Sequence, residues 1–355
     1  MVSIAVTDAA RRTPAIRPVA LWLLFCAAMV FLMVVIGGIT RLTESGLSIT
    51  EWQPVDGVLP PLSDAQWQDA FDKYKAIPQY AAIHAGMPLG DFKQIFFWEY
   101  LHRLWGRLIG VVFAVPFLFF LLRGHISRAL APRLAGLFVL GGLQGALGWY
   151  MVESGLAGRI EVSQYRLAAH LLAAVIIYMA LLWVALDLLV PTAAPAHDRR
   201  QPRLRRAVAA ILLMVLVTLT AGAFLAGLRG GLFYNTFPLM NGSVAPPEYW
   251  SLAPPYRNWF ENPAAAQFNH RLLAELTWTA TTLLWLYALR LDLSRRGRLA
   301  MHALFGLASL QASLGVAALL LVVPLPLAVA HQAGAMLLVT AALVAFHALR
   351  APRPA

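Results

Sequence analysis

The sequence predicts an all-α integral membrane protein: eight transmembrane helices arranged as two tandem, pseudo-symmetric four-helix bundles. Three observations predict it. The 355 residues are 60% hydrophobic and only 13% charged, with a mean hydropathy of +0.67, which is more apolar surface than a soluble domain of this size has room to bury. Several apolar runs exceed the ~18–20 residues needed to cross a bilayer core. The second half of the chain also repeats the polar landmarks of the first.

Spans are expected at 18–39, 97–122, 132–152, 164–190, 207–228, 266–289, 299–322 and 325–347. The first is too long, and too closely followed by Gly37-Gly38, to read as a cleaved leader. An outer loop at 40–96, rich in Trp, Pro and acidic residues, carries a predicted short helix over 63–76 with Ser63 as its N-cap. A second outer loop covers 229–265. The expected organisation is a cytoplasmic tail (1–17), a first bundle (18–190), a basic linker (191–206), a second bundle (207–347) and a closing tail (348–355).

The net charge of +11 raises a nucleic-acid reading that its distribution rejects. Arg11, Arg12 and Arg17 precede the first span; Arg123, Arg128 and Arg133 follow the second. Arg199, Arg200, Arg203, Arg205 and Arg206 follow the fourth, Arg290, Arg295, Arg296 and Arg298 the sixth, and Arg350 and Arg353 the last. Those 17 of 28 basic residues fall in short loops on one side, the positive-inside pattern, so both termini are expected in the cytoplasm and the chemistry on the outer face. The single cysteine, Cys26, lies inside the first span and reads as a packing residue.

The repeat carries the chemistry. Glu99-Tyr-Leu-His102-Arg103 matches Gln267-Phe-Asn-His270-Arg271, and each is followed by a second histidine, His170 or His331, 68 and 61 residues later. Gln144 in Leu-Gln-Gly-Ala-Leu-Gly148 matches Gln311 in Leu-Gln-Ala-Ser-Leu-Gly315, and Gly37-Gly38 has a looser echo in Gly222. A four-span unit is even-numbered, so the two copies share one orientation. All four histidines fall about four to seven residues into outside-to-inside spans, roughly 6–10 Å at 1.5 Å per residue. Two imidazoles at one height on facing helices suit a six-coordinate heme iron.

A lone intramembrane histidine is as readily an interhelical hydrogen bond, but four at matched depth and repeat position favour ligation. Zinc fits poorly, since neither cysteine-rich sets nor compact HxxxH spacings appear. His84, His125, His197, His302 and His347 lack repeat partners and read as structural. Gly141, Gly142, Gly145 and Gly148 either make room for a flat cofactor or pack helices closely. Arg103, Arg166 and Arg271 are candidates to bind heme propionates, with interfacial snorkelling as the competing reading. Gln144 and Gln311 read first as interhelical hydrogen-bonding groups. The repeat also breaks at one place: Glu99, one turn before His102, faces the non-ionisable Gln267 in the other copy. A carboxylate at the edge of a low-dielectric site is suited to accept or donate protons; a helix N-terminal residue favoured by the macrodipole is the alternative.

Gly37-Gly-Ile-Thr-Arg-Leu-Thr-Glu-Ser-Gly-Leu-Ser48, Trp52-x-Pro54, Gly57, Pro60-Pro61, Glu99-x-x-His102-Arg103, Phe233-Tyr-Asn-Thr-Phe-Pro-Leu-Met-Asn-Gly242 and Gln267-x-x-His270-Arg271 together resemble the heme A synthase family, in its proteobacterial and mitochondrial branch. The resemblance runs from about residue 20 to 347 and lacks the paired loop cysteines of some members. It implies an oxidoreductase that converts the C8 methyl group of heme O to the formyl group of heme A for terminal oxidase assembly, with the oxygen coming from water. By the same resemblance His102 and His170 face the substrate heme, His270 and His331 ligate a resident heme b that relays electrons, and Glu99 handles protons or positions water. The implied setting is the bacterial inner membrane, with the heme sites toward the periplasm. Membrane lipid, a heme O synthase, cytochrome oxidase assembly factors and a second copy of the chain are the implied partners. The rival readings are a diheme b-type cytochrome that only transfers electrons and a heme carrier or chaperone.

Overall fold

Eight helices of 24 residues or more dominate the computed structural model, which describes residues 16–52, 56–156, 160–190 and 198–350. They are α1 (Ile16–Leu42), α2 (Leu89–Leu122), α3 (Ala131–Leu156), α4 (Gln164–Leu189), α5 (Gln201–Gly227), α6 (Pro263–Ala288), α7 (Arg295–Leu320) and α8 (Leu325–Ala348). Among the described residues the only extended pairing is an isolated bridge between Met240 and Ser243. Arg11, Arg12, Pro54, His197 and Arg353, most of the expected tails and the start of the 191–206 linker lie outside the described residues.

Seven of these helices are long and apolar enough to cross a membrane, which makes this an all-α, multi-pass membrane protein. The eighth long helix, α6, is as long as its neighbours at 26 residues but more polar, because Gln267, His270, Arg271 and Glu275 fall in its first half. Its start is well specified: Pro263 occupies the first turn, and the Asn262 side chain accepts from the Ala264 and Ala265 N–H groups (2.9 and 3.3 Å). Ser294 caps α7 in the same way, accepting from Gly297 N (3.1 Å).

The four helices of the first half close a ring, α1 on α2, α2 on α3, α3 on α4 and α4 on α1; α5, α6, α7 and α8 close a second ring in the same order. The rings meet through α1 against α8, α4 against α5, and α4 against α8. Small side chains let the helices approach there: Ala185, Ala342 and Ala345 are fully buried. Polar contacts also cross the seam, among them the Tyr178 and Thr340 hydroxyls (2.6 Å), Gln332 Nε2 to Val34 O (2.6 Å) and Arg41 Nη2 to Ala226 O (2.9 Å).

The largest departure from the expected spans is α2, which starts at Leu89 instead of 97 and runs for 34 residues. At 1.5 Å per residue it is about 50 Å long, well beyond a ~30 Å hydrocarbon core. The extra turns are held by the outer loop. Phe92, Ile95 and Phe96 bury against Phe71 and Tyr74 of the loop helix Asp64–Lys75, with Phe71 and Phe92 stacked at 4.9 Å. That loop helix matches its prediction, with Ser63 and Gln66 forming a capping box. Burial, then the Glu44 and Glu99 carboxylates, push the Tyr74 phenol above its ordinary pKa.

The face that carries the long loop is also clasped electrostatically. Glu161, between α3 and α4, pairs with Arg41 at the end of α1 (3.2 Å) and with Arg229 just after α5; Arg229 reaches Glu44 as well (2.8 Å). These side chains are only 20–33% exposed, so the cluster should contribute more than an isolated surface pair. Glu161→Ala, which removes the carboxylate shared by two arginines, is expected to cost about 1–2 kcal/mol, between the values typical of exposed and buried pairs. Thermal unfolding in detergent checks this against Asp72→Asn, which breaks the exposed pair with Lys75; the Glu161 variant should melt distinctly lower.

Candidate heme sites

Each of the four repeat histidines seats its ring on a glycine of the preceding long helix. A Cβ added at Gly37 would stand 2.8 Å from His102 Cε1; at Gly148, 3.0 Å from His170 Cε1; at Gly222, 2.9 Å from His270 Cε1; at Gly315, 2.9 Å from His331 Cε1. Contacts under 3.0 Å essentially never occur at real Cβ atoms, so at Gly37, Gly222 and Gly315 a larger residue would force the ring to shift, and at Gly148 the fit is nearly as tight. Gly37, Gly222 and Gly315 each lie five residues before the outer end of their helix, at Leu42, Gly227 and Leu320, which puts three of the rings at one level. Of the small-residue run in α3, Gly148 is the cradle. Gly141, Gly142 and Gly145 meet no heavy atom within 4 Å, so close helix packing is not their role.

In the second ring of helices the His270 and His331 ring centres are 6.3 Å apart, with their planes at 89°. Two imidazole nitrogens bonded to one metal at ~2 Å place the ring centres roughly 6 Å apart, so this pair fits an iron between them. No group of three or more His, Cys, Asp or Glu side chains able to hold a metal converges among the described residues.

Behind the rings, the polar partners differ. His270 Nδ1 faces Thr218 O at 3.1 Å. The Gln311 amide nitrogen lies 3.1 Å from His331 Nδ1, and the Gln144 amide nitrogen 3.1 Å from His170 Nδ1 while also donating to His170 O (2.9 Å). The two glutamines therefore bond across helices, as their sequence suggested, and their partners are the ligand candidates. The amide oxygens of Gln144 and Gln311 are buried without a partner. Turning the Gln311 amide presents its oxygen to an Nδ1–H; the Gln144 nitrogen is held in place by His170 O (2.9 Å), and both amide nitrogens also lie 3.5 Å from the ring Nε2. His102 Nδ1 is buried with no hydrogen-bond partner among the described residues.

Glu99 is 3% exposed and fully engaged. Its Oε2 accepts from Ser48 Oγ (2.7 Å) and from Ile49 N (2.8 Å), and its Oε1 from Arg103 Nη2 (2.6 Å). Arg103 also donates to Ile49 O (2.7 Å) and Glu51 O (3.0 Å). The sequence reading treated Glu99 as a carboxylate beside an iron and Arg103 as a propionate partner; the two also pair with each other and fasten residues 48–51 of the long loop to α2. Gln267 occupies the matched position in α6 and donates to Phe233 O (2.6 Å) of the second outer loop. Ser48 went unassigned from sequence, although it closes the long loop motif.

The other two arginine candidates differ from each other. Arg166 donates to Tyr150 O and lies over the Tyr150 ring at 3.6 Å. Arg271 donates to Pro238 O (2.8 Å) and keeps a buried Nη1 without a partner, the one leftover donor of the three. The remaining described histidines sit away from these sites. His84 contacts Tyr74 and Glu44, His125 lies against Phe119 and Phe120, Trp285 donates to His302 (3.0 Å), and His347 meets Asp187 (3.2 Å).

A profile of the COX15-CtaA family, described as cytochrome oxidase assembly protein, matches residues 20–343, spanning all eight long helices but for the last turns of α8 and the first of α1. The chain belongs to this family. It is 53% identical to a heme A synthase of Rhodospirillum centenum over 99% of this chain and 94% of that protein. It is 51% identical to a heme A synthase of Nitrosospira multiformis over 94% of each. A heme A synthase of Bradyrhizobium diazoefficiens shares 50% identity over 92% of this chain and 90% of its own length.

Proposed function

We propose that this chain is a heme A synthase, which oxidises the C8 methyl group of heme O to a formyl group. The observation that carries the reading is the set of four glycine-cradled histidines, repeated in the two halves, with Glu99 in one half against Gln267 in the other. The relatives named above support it. The conversion takes one water per methyl group and releases four protons and four electrons, so the site needs an ionisable group and an exit for electrons.

His102 and His170 are proposed to hold the substrate heme and His270 and His331 a resident heme b. When bound, that heme supplies one-electron redox chemistry. Gly37, Gly148, Gly222 and Gly315 set the rings; Gln144 and Gln311 hold two of them from behind. Glu99 is the proposed catalytic residue, buried one turn from His102 and aimed by Ser48, Ile49 N–H and Arg103. Of the three arginine candidates, Arg271 is favoured as a propionate partner by its spare donor.

The same reading makes α6 the eighth span. An even number of spans agrees with the basic residues gathered on one side, placing both termini in the cytoplasm and the heme sites toward the periplasm of a bacterial inner membrane. The two rings of helices are then two bundles, 18–190 and 207–347. Heme O synthase is the proposed supplier, with oxidase assembly factors and a second copy of this chain as further partners.

Co-expression with a heme O synthase tests the reading. Extracted hemes analysed by mass are expected to include the formyl heme; unchanged heme O in a folded, heme-loaded protein would contradict it. A purely electron-transferring cytochrome would instead carry heme b in both halves.

A further inference from the structure

Three of the four cradled imidazoles have a polar partner on Nδ1, and one does not. Thr218 O stands behind His270, Gln311 behind His331 and Gln144 behind His170. His102 Nδ1 is buried and unpartnered among the described residues. The residue types do not account for the difference: the partner behind His270 is the main-chain carbonyl of Thr218, four residues before Gly222, and Met33, four residues before Gly37, carries a carbonyl that no hydrogen bond joins to His102. Instead, the neighbouring Trp105 Nε1 donates to Met29 O (2.9 Å), one turn further along α1.

A back-side hydrogen bond does two things for a ligating histidine. It fixes the tautomer that leaves Nε2 free, and it raises the basicity of the ring; losing such a partner typically costs 10–100-fold in metal affinity. A ring without one binds more weakly and turns more freely.

We propose that His102 is the exchangeable ligand of the first pair: its bond to iron opens when the porphyrin enters and leaves, while His170 keeps hold. The inference rests on the reading of the first pair as substrate-heme ligands. It gives that pair a property that suits a turnover site, which must release its product. The second pair, backed on both rings, suits a heme that stays. No change in oxidation state is involved; one coordination bond breaks and re-forms at His102 Nε2.

Two measurements test it, neither of which reads catalysis. The first is heme retention in protein co-expressed with a heme O synthase, with extracted heme O, heme A and heme b quantified separately. His102→Ala should keep at least half of the heme O and heme A content, with the high-spin signature of a five-coordinate iron, whereas His170→Ala should lose it by about tenfold or more. Equal losses in the two variants would overturn the proposal. The second uses the unaltered protein, in which folding of a variant is not at issue. Carbon monoxide added to the reduced protein should bind the first-half heme and spare the heme b. Binding to both, or to neither, would overturn the proposal. Wild-type protein holding only heme b, and making no formyl heme, would overturn the parent reading together with this one. Formyl heme with symmetric ligand loss would overturn this one alone.

Discussion

Gly222→Ala is expected to empty the heme b site without unfolding the protein. The new methyl group would sit 2.9 Å from His270 Cε1 and 3.2 Å from its Nδ1, and the ring cannot retreat freely because that Nδ1 is fixed against Thr218 O. Overpacking of this kind costs about 1–3 kcal/mol when the surroundings yield. Here the part that yields is the ligand itself, so loss of ligand geometry is added to loss of the back-side hydrogen bond, worth about 10–100-fold in affinity. A fall in bound heme b of tenfold or more is expected, read as extracted heme per protein and as the bis-histidine absorbance. His270→Ala should produce the same depletion. Gly306→Ala is the control, because a Cβ there meets nothing within 4 Å and alanine favours the helix by about 1 kcal/mol over glycine. Full heme b content in the Gly222 variant would remove the cradle from the site.

Much of this was legible in the chain, for identifiable reasons. Hydropathy marks where a helix crosses lipid, so it located the starts of α4 and α8 to within a residue. It could not see the outer turns of α2, which are stabilised by Phe71 and Tyr74 packing on Phe92 and Phe96, a contact between segments about twenty residues apart. The same limit applies to α6, where Gln267, His270 and Arg271 lower the apolar signal at the place where the site is built. The histidines were visible because function repeats in register. Their glycines were visible as repeats too, Gly148 with Gly315 and Gly37 with Gly222, but a glycine does not announce which ring it accommodates. The pairing of Glu99 with Arg103 was within reach, since the two are four residues apart on one helix. Reading Arg103 only as a neighbour of His102 concealed it. Ser48 lies 51 residues from Glu99, and no local pattern links the two.

Glu99→Gln is expected to retain both hemes and to lose the formyl product. The structure allows this to be separated from a loss of loop anchoring. A glutamine oxygen can still accept from Ser48 Oγ and Ile49 N–H, while its nitrogen must face Arg103, donor against donor. Removing one member of a buried ion pair typically costs about 3–5 kcal/mol; the cost here should be smaller, because Arg103 keeps Ile49 O and Glu51 O. His102 is seated by Gly37 and not by Glu99, so heme should stay. Loss of a group that moves protons in the transition state lowers rates by about 10²–10⁴, enough to leave heme O unconverted in the extract. Gln267 supplies the competing explanation, since the matched residue of the second half fastens a loop, donating to Phe233 O. If fastening were also the whole role of Glu99, Ser48→Ala, which removes one bond of the latch and leaves the carboxylate in place, would impair product formation about as much as Glu99→Gln. The expected result is a wide gap between them: a modest reduction in Ser48→Ala, and near-complete loss in Glu99→Gln at unchanged heme content. Equal activities in the two variants would make Glu99 a latch and take it out of the chemistry.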